Sequence, residues 1–540
     1  MGLTLAVLCV VWLTGCPKKE GPAALFFATP RTGPAPLSVT FTDQSLPGTS
    51  SITQWSWTFG DGATSTVRHP VHVYAVPGHY DVSLTVVTDD GQDARTEPDY
   101  IEVTAGEGEG EGEGEGEGEN VYYVDPENAA ASDNNPGTLA QPWATLGHAT
   151  GVAAAGDTVY LRGGTYAEQL ITQQDGAAGT PITFAAYPGE TPLIDGSGVE
   201  TGNNGVIVLN AHIAVEGIAI RNWNDNAIWA EGASYLTIAD CEVYDVGYGV
   251  GFSDGSHDFT VERVLAHHFD LYGFDASPSG GDPCYNGVFN ACTAHTGRDP
   301  QQNVDGFALG HGTQHDFQIN RCVAYGVFDG FDISAGETVL NGCLAYDCSN
   351  GGFKLWQDNV RLVNCMGYAN LVAHVELDWD GDPGTVTLLN CTFFDSGSFG
   401  IWVENAGDSL RLYNCILAGS GNIGLAFEQR SVANYQGDNN LFHDEDGARA
   451  VTVGYEDEFS LADLTAGTWT TYSGQDAHAI AEASAANIFV DPAGYDMHLA
   501  AGSPAIDAGA SADAPQDDFE GNTRPQGAAI DIGAYEETAR

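Results

Sequence analysis

A single lysine stands in the run NGGFKLWQ, residues 350–357, of a chain that contains 74 Asp and Glu. Past Lys18 and Lys19, Lys354 is the only lysine in the sequence. A lysine removes a proton when its amine is neutral, and a nearby cation together with partial desolvation disfavours the ammonium form. Lys354 is therefore our candidate for a general base.

Three aspartates accompany this lysine in two related runs upstream. Asp305 lies in NVDGFAL, and Asp329 and Asp332 lie in FDGFDI. If the fold brings these carboxylates together, they repel one another unless a cation sits between them. Calcium suits such a site outside the cell because it accepts six to eight oxygen ligands in loose geometry. We therefore predict Asp305, Asp329 and Asp332 as calcium ligands beside the lysine.

The elements that must position these residues belong to an internal repeat. Runs such as INRCVAYG, LNGCLAYD and LVNCMGYA place cysteines at intervals of 21 to 26 residues, namely Cys322, Cys343, Cys365, Cys391 and Cys415. A second short run, such as GFDI, GFKL or GIWV, follows most of them. Strands this short cannot close a sheet within one repeat, but they can stack on the next repeat at about 4.8 Å per coil. The period predicts an all-β solenoid, a right-handed parallel β-helix, with the cysteines as an inward apolar stack.

The second strand of each coil determines which side chains point outward. Its pattern is Gly, apolar, X, apolar, so that X faces away from the core. The X positions of successive coils are Asp275, Ala308, Asp332, Lys354, Glu376 and, further on, Trp402. Asp305 and Asp329 stand just before the glycine, so we predict one compact carboxylate cluster with one amine on the outer sheet. We also predict that Asp275, Glu376 and Trp402 contact the substrate.

The first residues are typical of an exported lipoprotein. MGLTLAVLCVVWLTGC contains an apolar run of about a dozen residues, too short to span a bilayer and of the length of a signal-peptide core. LTGC resembles a lipobox, which predicts a signal peptide over residues 1–15, lipidation of Cys16 and a tether over residues 16–22. Pro17 follows this cysteine, and we predict an extracellular lipoprotein at the outer membrane or cell surface.

A low-complexity segment separates two further domains. The Gly-Glu repeat within residues 105–120 has no apolar group to bury, so it predicts an extended linker. Residues 23–104 alternate apolar and polar in short runs and predict a small β-sandwich. WSWTFGDG, followed by HPVHVYAVPGHYDVSLTV, resembles the immunoglobulin-like PKD module. Residues 121–540 form the predicted β-helix, with a C-terminal tail from about residue 487.

The charge limits the possible partners. Lys and Arg number 17 against 74 acidic residues, which gives a net charge of −57. This field repels nucleic acid and anionic lipid, so we exclude nucleic acid and expect membrane contact only through the lipid anchor. An acidic polysaccharide would also be repelled unless a divalent cation bridged it to the protein. We expect a monomer.

The runs NVDGFAL, FDGFDI and NGGFKL resemble polysaccharide lyase family 9, the β-helical pectate lyases. The resemblance implies that Asp305, Asp329 and Asp332 hold calcium and that Lys354 is the Brønsted base. It also implies β-elimination on a pectate-like uronic-acid polymer. The family has two consecutive aspartates where this chain has Phe328 and Asp329, so one expected ligand is missing.

Two other classes of function stay open at this point. A surface-anchored β-helix can bind glycans or act as an adhesin without catalysis, because a fold does not fix a function. Another uronate-active enzyme on the same fold, either an alginate or glycosaminoglycan lyase or a glycosidase, is the second alternative. A glycosidase would give products without the ultraviolet absorbance of an unsaturated uronate.

Overall fold

The chain divides into two compact units, Met1–Gly116 and Glu117–Arg540. The computed structural model describes residues 24, 26–29, 31–34, 37–43, 54–66, 70–74, 76–88, 91–104, 120–199, 203–276, 282–310, 313–377, 384–404, 408–419, 423–428, 432–444, 449–454, 456–512 and 514–537. The predicted signal peptide, Cys16, the tether and residues 105–119 of the predicted linker lie outside the described residues.

The first unit is the predicted β-sandwich. Its strands are β1 (Phe26–Thr29), β2 (Thr32–Pro34), β3 (Leu37–Asp43), β4 (Gln54–Thr58), β5 (Thr64–Ser65), β6 (Val71–Tyr74), β7 (Gly78–Thr88) and β8 (Gly91–Thr104). They form one sheet in the order β1-β3-β6 and another in the order β2-β8-β7-β4-β5. Trp57 is fully buried in the apolar core together with Phe41 and Val82. Alternation of apolar and polar residues therefore produces a sandwich with one core, as the sequence predicted.

The second unit is a long parallel solenoid. Its strands are β9 (Val121–Val124), β10 (Thr158–Leu161), β11 (Gly164–Tyr166), β12 (Leu170–Ile171), β13 (Ile182–Ala186), β14 (Pro192–Asp195), β15 (Val206–Val208), β16 (Ile213–Glu216), β17 (Ala219–Arg221), β18 (Asn226–Glu231), β19 (Thr237–Ala239), β20 (Glu242–Ser253), β21 (His257–Glu262), β22 (Leu265–Ala276), β23 (Tyr285–Asn290), β24 (Thr293–His295), β25 (Asp305–Leu309), β26 (Gln318–Asn320), β27 (Val323–Tyr325), β28 (Phe331–Ile333), β29 (Val339–Asn341), β30 (Leu344–Tyr346), β31 (Gly351–Leu355), β32 (Val360–Val363), β33 (Met366–Tyr368), β34 (Ala373–Leu377), β35 (Thr385–Leu389), β36 (Thr392–Phe394), β37 (Phe399–Val403), β38 (Ser409–Tyr413), β39 (Ile416–Gly419), β40 (Ile423–Phe427), β41 (Tyr435–Asp438), β42 (Leu441–Asp444), β43 (Val451–Val453), β44 (Asp457–Phe459) and β45 (Ile480–Glu482). Helix α1 (Leu146–Val152) lies near its start, and α2 (Leu461–Thr465) and α3 (Thr468–Ser473) lie near its end.

Each central coil contributes three strands to two long sheets. One strand joins a sheet of 13 strands that runs from β9 to β41, and its pairings are all parallel. The other two join a sheet of 24 strands, in which β24, β27, β30, β33, β36, β39 and β42 form a first-strand series and β25, β28, β31, β34, β37 and β40 form a second-strand series. A parallel solenoid is thus present, as the repeat period predicted.

The GF dipeptides of the second-strand series explain the local fold. Phe307, Phe331 and Phe353 stack inside the solenoid with ring centroids 4.7 and 5.0 Å apart. The glycine before each phenylalanine has no room for a side chain: a Cβ on Gly306 or on Gly330 would lie 2.6 Å from a backbone oxygen of the next coil. Burial of each phenylalanine contributes about 1.5–3 kcal/mol, and glycine lets the coils approach closely enough for it.

The repeated cysteines form the predicted inward column. Cys322, Cys343, Cys365, Cys391 and Cys415 are fully buried and are free thiols. The Cys343 thiol donates to the backbone oxygen of Ile319 in the preceding coil at 3.2 Å, and the Cys365 thiol donates to that of Leu340 at 3.4 Å. They therefore pack as small apolar residues with a weak donor, and none of the five forms a disulfide.

The C-terminal tail covers part of the solenoid. After a 3₁₀ turn (Ala485–Asn487), β46 (Phe489–Asp491), a second 3₁₀ turn (Pro492–Gly494) and β47 (Asp496–Leu499) form a two-stranded sheet. Apolar residues of this tail pack on the outward face of the first-strand series, against Met366, Phe394, Ile416 and Leu441. Among the described residues, none of the helices is long and apolar enough to cross a membrane.

Candidate active site

The second-strand series lines up the predicted site residues in successive coils. Parallel pairing joins Asp275 to Ala308, Ala308 to Asp332, Asp332 to Lys354, Lys354 to Glu376, and Glu376 to Trp402. Neighbouring strands lie about 4.8 Å apart, so Asp332 and Glu376 flank Lys354 at that spacing on either side. Asp275 is two pairings away from Asp332, with the short side chain of Ala308 between them.

Asp305 and Asp329 form a second acidic pair beside this line. Both carboxylates are fully buried, and the backbone N–H of Asp329 donates to Oδ1 of Asp305 at 3.2 Å. Oδ1 of Asp329 accepts from Nδ2 of Asn350 at 2.8 Å and from the backbone N–H of Gly351 at 2.7 Å. Its Oδ2 is buried and has no hydrogen-bond partner among the residues that the structure describes. A buried carboxylate oxygen of this kind is costly unless something else binds it.

Gly351 keeps the space beside this oxygen pair open. A Cβ at this position would lie 2.9 Å from Oδ1 of Asp329 and 3.8 Å from Oε2 of Glu376. The glycine stands where the preceding coils carry Asp329 and Asp305, because the pairing of β28 with β31 continues that register. The run NGGFKL therefore leaves a small gap between the carboxylate of Asp329 in the preceding coil and that of Glu376 in the following coil.

Burial and mutual repulsion disfavour the ionised form of these acids. Burial raises the pKa of Asp305 to about 8, with further contributions from the charges of Asp329 and Asp332. Burial also raises the pKa of Asp329, although two hydrogen bonds and the charge of Lys354 oppose the shift. A positive charge in the gap would relieve both effects, because it favours the carboxylate form.

Lys354 lies between a carboxylate and an aromatic ring. Its Nζ is 4.0 Å from Oε1 of Glu376 and 4.4 Å from the centroid of the Trp356 ring. The Lys354 side chain is 17 % exposed and that of Glu376 only 7 %, so the amine is shielded but reachable from solvent. The indole Nε1–H of Trp356 donates to Oδ1 of Asp332 at 2.6 Å.

Sequence reasoning did not single out Trp356. The alternation in GFKLW would have pointed to it, because Lys354 and Trp356 flank the buried Leu355 and fall on the same outward side. The close association of Asp305 with Asp329 through a backbone N–H carries no comparable sequence signal.

The predicted calcium ligands Asp305, Asp329 and Asp332 lie in two adjacent coils, and their role as ligands stays a prediction. Among the described residues, no three His, Cys, Asp or Glu side chains lie close enough together to hold a metal ion as they are placed. The donor set nevertheless fits calcium in chemical type, since Asp305 and Asp329 offer carboxylate oxygens. Within the described part of the chain, no hydrogen-bond partner lies at the buried Oδ2 of Asp329. Phe328, where the resemblance implies a further aspartate, is half-buried beside Asp329 and offers no oxygen ligand from its side chain.

His374 and Trp402 lie near the site and differ in their exposure. His374 is buried in the solenoid, where its Nδ1 contacts Nδ2 of Asn370 at 3.0 Å and burial lowers its pKa to about 3. It is therefore a neutral core residue. Trp402 is half-buried and stacks on Phe399 with ring centroids 5.2 Å apart, one pairing beyond Glu376.

Family models of right-handed β-helices match the solenoid of this chain. A family model described as "Pel9A-like, right handed beta helix region" matches residues 122–347, and one described as "Right handed beta helix region" matches residues 301–442. A third, for the PKD domain, matches residues 19–103. These matches confirm the predicted handedness of the β-helix and the resemblance to Pel9A-like β-helices and to the PKD module.

The chain is also similar to individual proteins. The chain is 29% identical over 286 residues to pectate lyase L of Paenibacillus polymyxa, which covers 45% of this chain and 57% of that protein. It is 30% identical over 196 residues to pectate lyase PEL9 of Emericella nidulans, which covers 35% of this chain and 43% of that protein. The crystal structure of pectate lyase Pel9A covers 78% of this chain and 96% of its own, with 18% identity and a TM-score of 0.47. The chain thus spans about half the length of the two curated relatives.

Proposed function

We propose that this protein is a calcium-dependent polysaccharide lyase that cleaves a pectate-like uronic-acid polymer by β-elimination. The observation that carries the proposal is the pairing of Lys354 with Asp332 and Glu376 beside the buried aspartates Asp305 and Asp329. The similarity to two pectate lyases supports the reaction class.

Lys354 is the proposed base. Its neutral Nζ removes the proton from C5 of a uronate, and the electron pair of that C–H bond forms the C4–C5 double bond. The bond between C4 and O4 breaks with its electron pair on O4, which takes a proton to become the hydroxyl of a new reducing end. The product carries an unsaturated uronate at its non-reducing end.

Asp305, Asp329 and Asp332 would hold the calcium. When bound, calcium would neutralise the substrate carboxylate and make the C5 proton more acidic. The carboxylates themselves would stay ionised beside it, and the partial burial of Lys354 would limit the access of bulk water to the amine. Asp275, Glu376 and Trp402 would contact sugar residues along the same line of coils.

The proposed partner and location follow from the charge and the first residues of the chain. The partner is an acidic polysaccharide, which the bridging cation binds against the negative field of the protein. Lipidation at Cys16 would hold a monomer at the outer membrane or cell surface, with the PKD domain and the linker between anchor and β-helix.

The decisive test is the variant Lys354→Ala. On polygalacturonate with calcium, the unchanged protein should release product that absorbs in the ultraviolet, and chelation should stop it. Lys354→Ala should lower kcat by about 10²–10⁴-fold with polysaccharide binding retained. Arg361→Ala, which removes an exposed cation from the neighbouring β32, is the matched control and should keep full activity.

Several outcomes would contradict the proposal. If the unchanged protein acts on none of polygalacturonate, alginate or glycosaminoglycans but still binds one of them, it is a glycan-binding protein. Activity on alginate alone would change the substrate class. New reducing ends without ultraviolet absorbance would identify a glycosidase.

A further inference from the structure

The indole of Trp356 contacts two residues of the candidate site at once. Its ring lies 4.4 Å from Nζ of Lys354, and its Nε1–H donates to Oδ1 of Asp332 at 2.6 Å. The backbone N–H of Trp356 in turn donates to the oxygen of Ile333 in the preceding coil at 2.9 Å. The backbone of Trp356 is therefore bonded to the preceding coil, and its ring is held by the bond from Nε1–H.

We propose that Trp356 is a positioning residue of the candidate site, which holds Lys354 and Asp332 in one fixed arrangement. This inference rests on the proposed function. Trp356 takes no part in the bond changes; it acts through the amine of Lys354 and the carboxylate of Asp332.

The physical need for such a residue follows from the lysine side chain. A lysine carries its ammonium on four flexible carbons and loses about 2 kcal/mol of rotamer entropy when it is fixed. A displacement of about 1 Å in a reacting group can cost about 100-fold in rate. The face of tryptophan attracts a cation more strongly than that of tyrosine or phenylalanine. One ring can therefore hold the lysine side chain in place by contact with its face, although this attraction is stronger for the ammonium than for the neutral amine.

The indole N–H adds a second restriction that a phenylalanine cannot supply. A carboxylate accepts a short hydrogen bond strongly, and the contact to Oδ1 of Asp332 fixes the orientation of that carboxylate next to Lys354. Two substitutions separate these roles. Trp356→Phe keeps a ring and loses the N–H, whereas Trp356→Leu loses both.

The first measurement tests the contact without any activity. Reductive methylation with ¹³C-formaldehyde labels the lysine amines of the full chain, namely Lys18, Lys19 and Lys354. The Lys354→Arg variant assigns the resonance of Lys354. We expect the N-methyl protons of Lys354 to resonate upfield of those of Lys18 and Lys19, because Lys354 lies over the indole face. Trp356→Leu should abolish this upfield shift. A Lys354 resonance that coincides with the other two in the unchanged protein would overturn the inference.

The second measurement is kinetic. Trp356→Leu should lower kcat about 100-fold while KM changes less than threefold. Trp356→Phe, which keeps a ring, should lower kcat only about tenfold. The matched control is Trp229→Phe, a half-buried tryptophan on the same outward line, four pairings before Asp332. This control should leave kcat, KM and the Lys354 resonance unchanged.

The outcomes distinguish this inference from the proposed function. If the unchanged protein cleaves no uronan, the proposed function fails while the resonance still reports the contact. If the unchanged protein cleaves and Trp356→Leu keeps the original kcat, or changes KM alone, the positioning role fails and the lyase stands. An equal loss of kcat in Trp356→Leu and Trp229→Phe would also overturn it, since a general packing defect would then explain both.

Discussion

Two outward faces of the same coils follow opposite rules. On the first-strand series, Met366, Ile416 and Leu441 point outward and are covered by apolar residues of the C-terminal tail. On the second-strand series, Asp332, Lys354 and Glu376 occupy the outward positions. The backbone pairing is parallel on both faces, so the difference lies entirely in the outward side chains.

The tail-covered face stabilises the fold, and the acidic face carries the proposed chemistry. Covering apolar side chains stabilises the tail-covered face, because apolar area is removed from water. The acidic face is costly, since Asp305 and Asp329 are buried next to each other and no described residue forms a hydrogen bond with Oδ2 of Asp329. Sites that trade stability for function commonly show this pattern. Substitutions on the two faces should therefore change stability in opposite directions.

The largest effect should come from a buried ion pair in the tail. Arg524 and Glu536 pair at 2.8 Å with both side chains fully buried, and Arg524 also donates to the backbone oxygen of Gly533 at 2.9 Å. Arg524→Met leaves the carboxylate of Glu536 buried without its partner, which should lower the free energy of unfolding by about 3–5 kcal/mol. Denaturant unfolding measures the loss. Below its melting temperature the variant should keep full lyase activity. A parallel loss of kcat would show that the tail-covered face and the acidic face are not independent.

The next effect concerns the asparagine turns on which the tail docks. Nδ2 of Asn414 donates to the backbone oxygen of Ala510 at 2.9 Å, and its Oδ1 accepts from the N–H of Ala510 at 2.8 Å. Asn414→Gly should cost about 1–3 kcal/mol, because it orphans both groups of Ala510. Asn414→Ala should cost about 1 kcal/mol more, since Asn414 has a φ of 55°. Equal melting temperatures for the two variants would show that the left-handed backbone is not under strain there.

The acidic face should respond in the opposite direction. The pKa of Asp305 is raised to about 8 in the fold, above its ordinary value of 3.8. Between these values the folded protein keeps a proton that the unfolded chain has lost, so the stability that this group contributes falls as pH rises through that window. Each unit of difference in pKa corresponds to about 1.4 kcal/mol. Asp305→Asn should therefore gain stability over the unchanged protein as pH rises, while losing uronan cleavage.

The measurement is the difference in melting temperature at pH 5 and pH 9 in chelator. The exposed residue Asp347, which has a φ of 52°, gives the control Asp347→Asn, with no such pH trend. A destabilised Asp305→Asn at pH 9 would show that the acidic face is not under electrostatic strain.

The smallest effect should appear at the edge of the acidic face. Trp402 lies one pairing beyond Glu376 and two beyond Lys354. Trp402→Ala should raise KM about threefold to tenfold, which corresponds to about 0.7–1.4 kcal/mol of binding free energy, with kcat unchanged. Initial rates over a range of polygalacturonate concentrations measure both constants. A change in kcat alone would place Trp402 in the chemistry instead of in binding.

Local patterns predicted much of the fold and part of the site. The pleat of each strand determines which residues point outward, and the coil length determines the period of the cysteines and of the GF dipeptides. Both are properties of short segments. The same patterns could not predict that Asn390 and Asn414 bind the tail, because their partners lie about 100 residues or more away in the chain. They also did not predict the hydrogen bond from Trp356 to Asp332, since this bond depends on side-chain rotamers that the neighbouring coil selects.

The sequence by itself determined the period of the solenoid, the inward cysteine and phenylalanine columns and the line on which Asp332, Lys354 and Glu376 fall, because parallel stacking repeats a fixed register from coil to coil. Only the tertiary structure decided that Asp305 and Asp329 are buried together, that Trp356 joins Lys354 to Asp332, and that the tail covers the first-strand face. These depend on contacts between coils and between distant segments, and a local pattern carries no information on them.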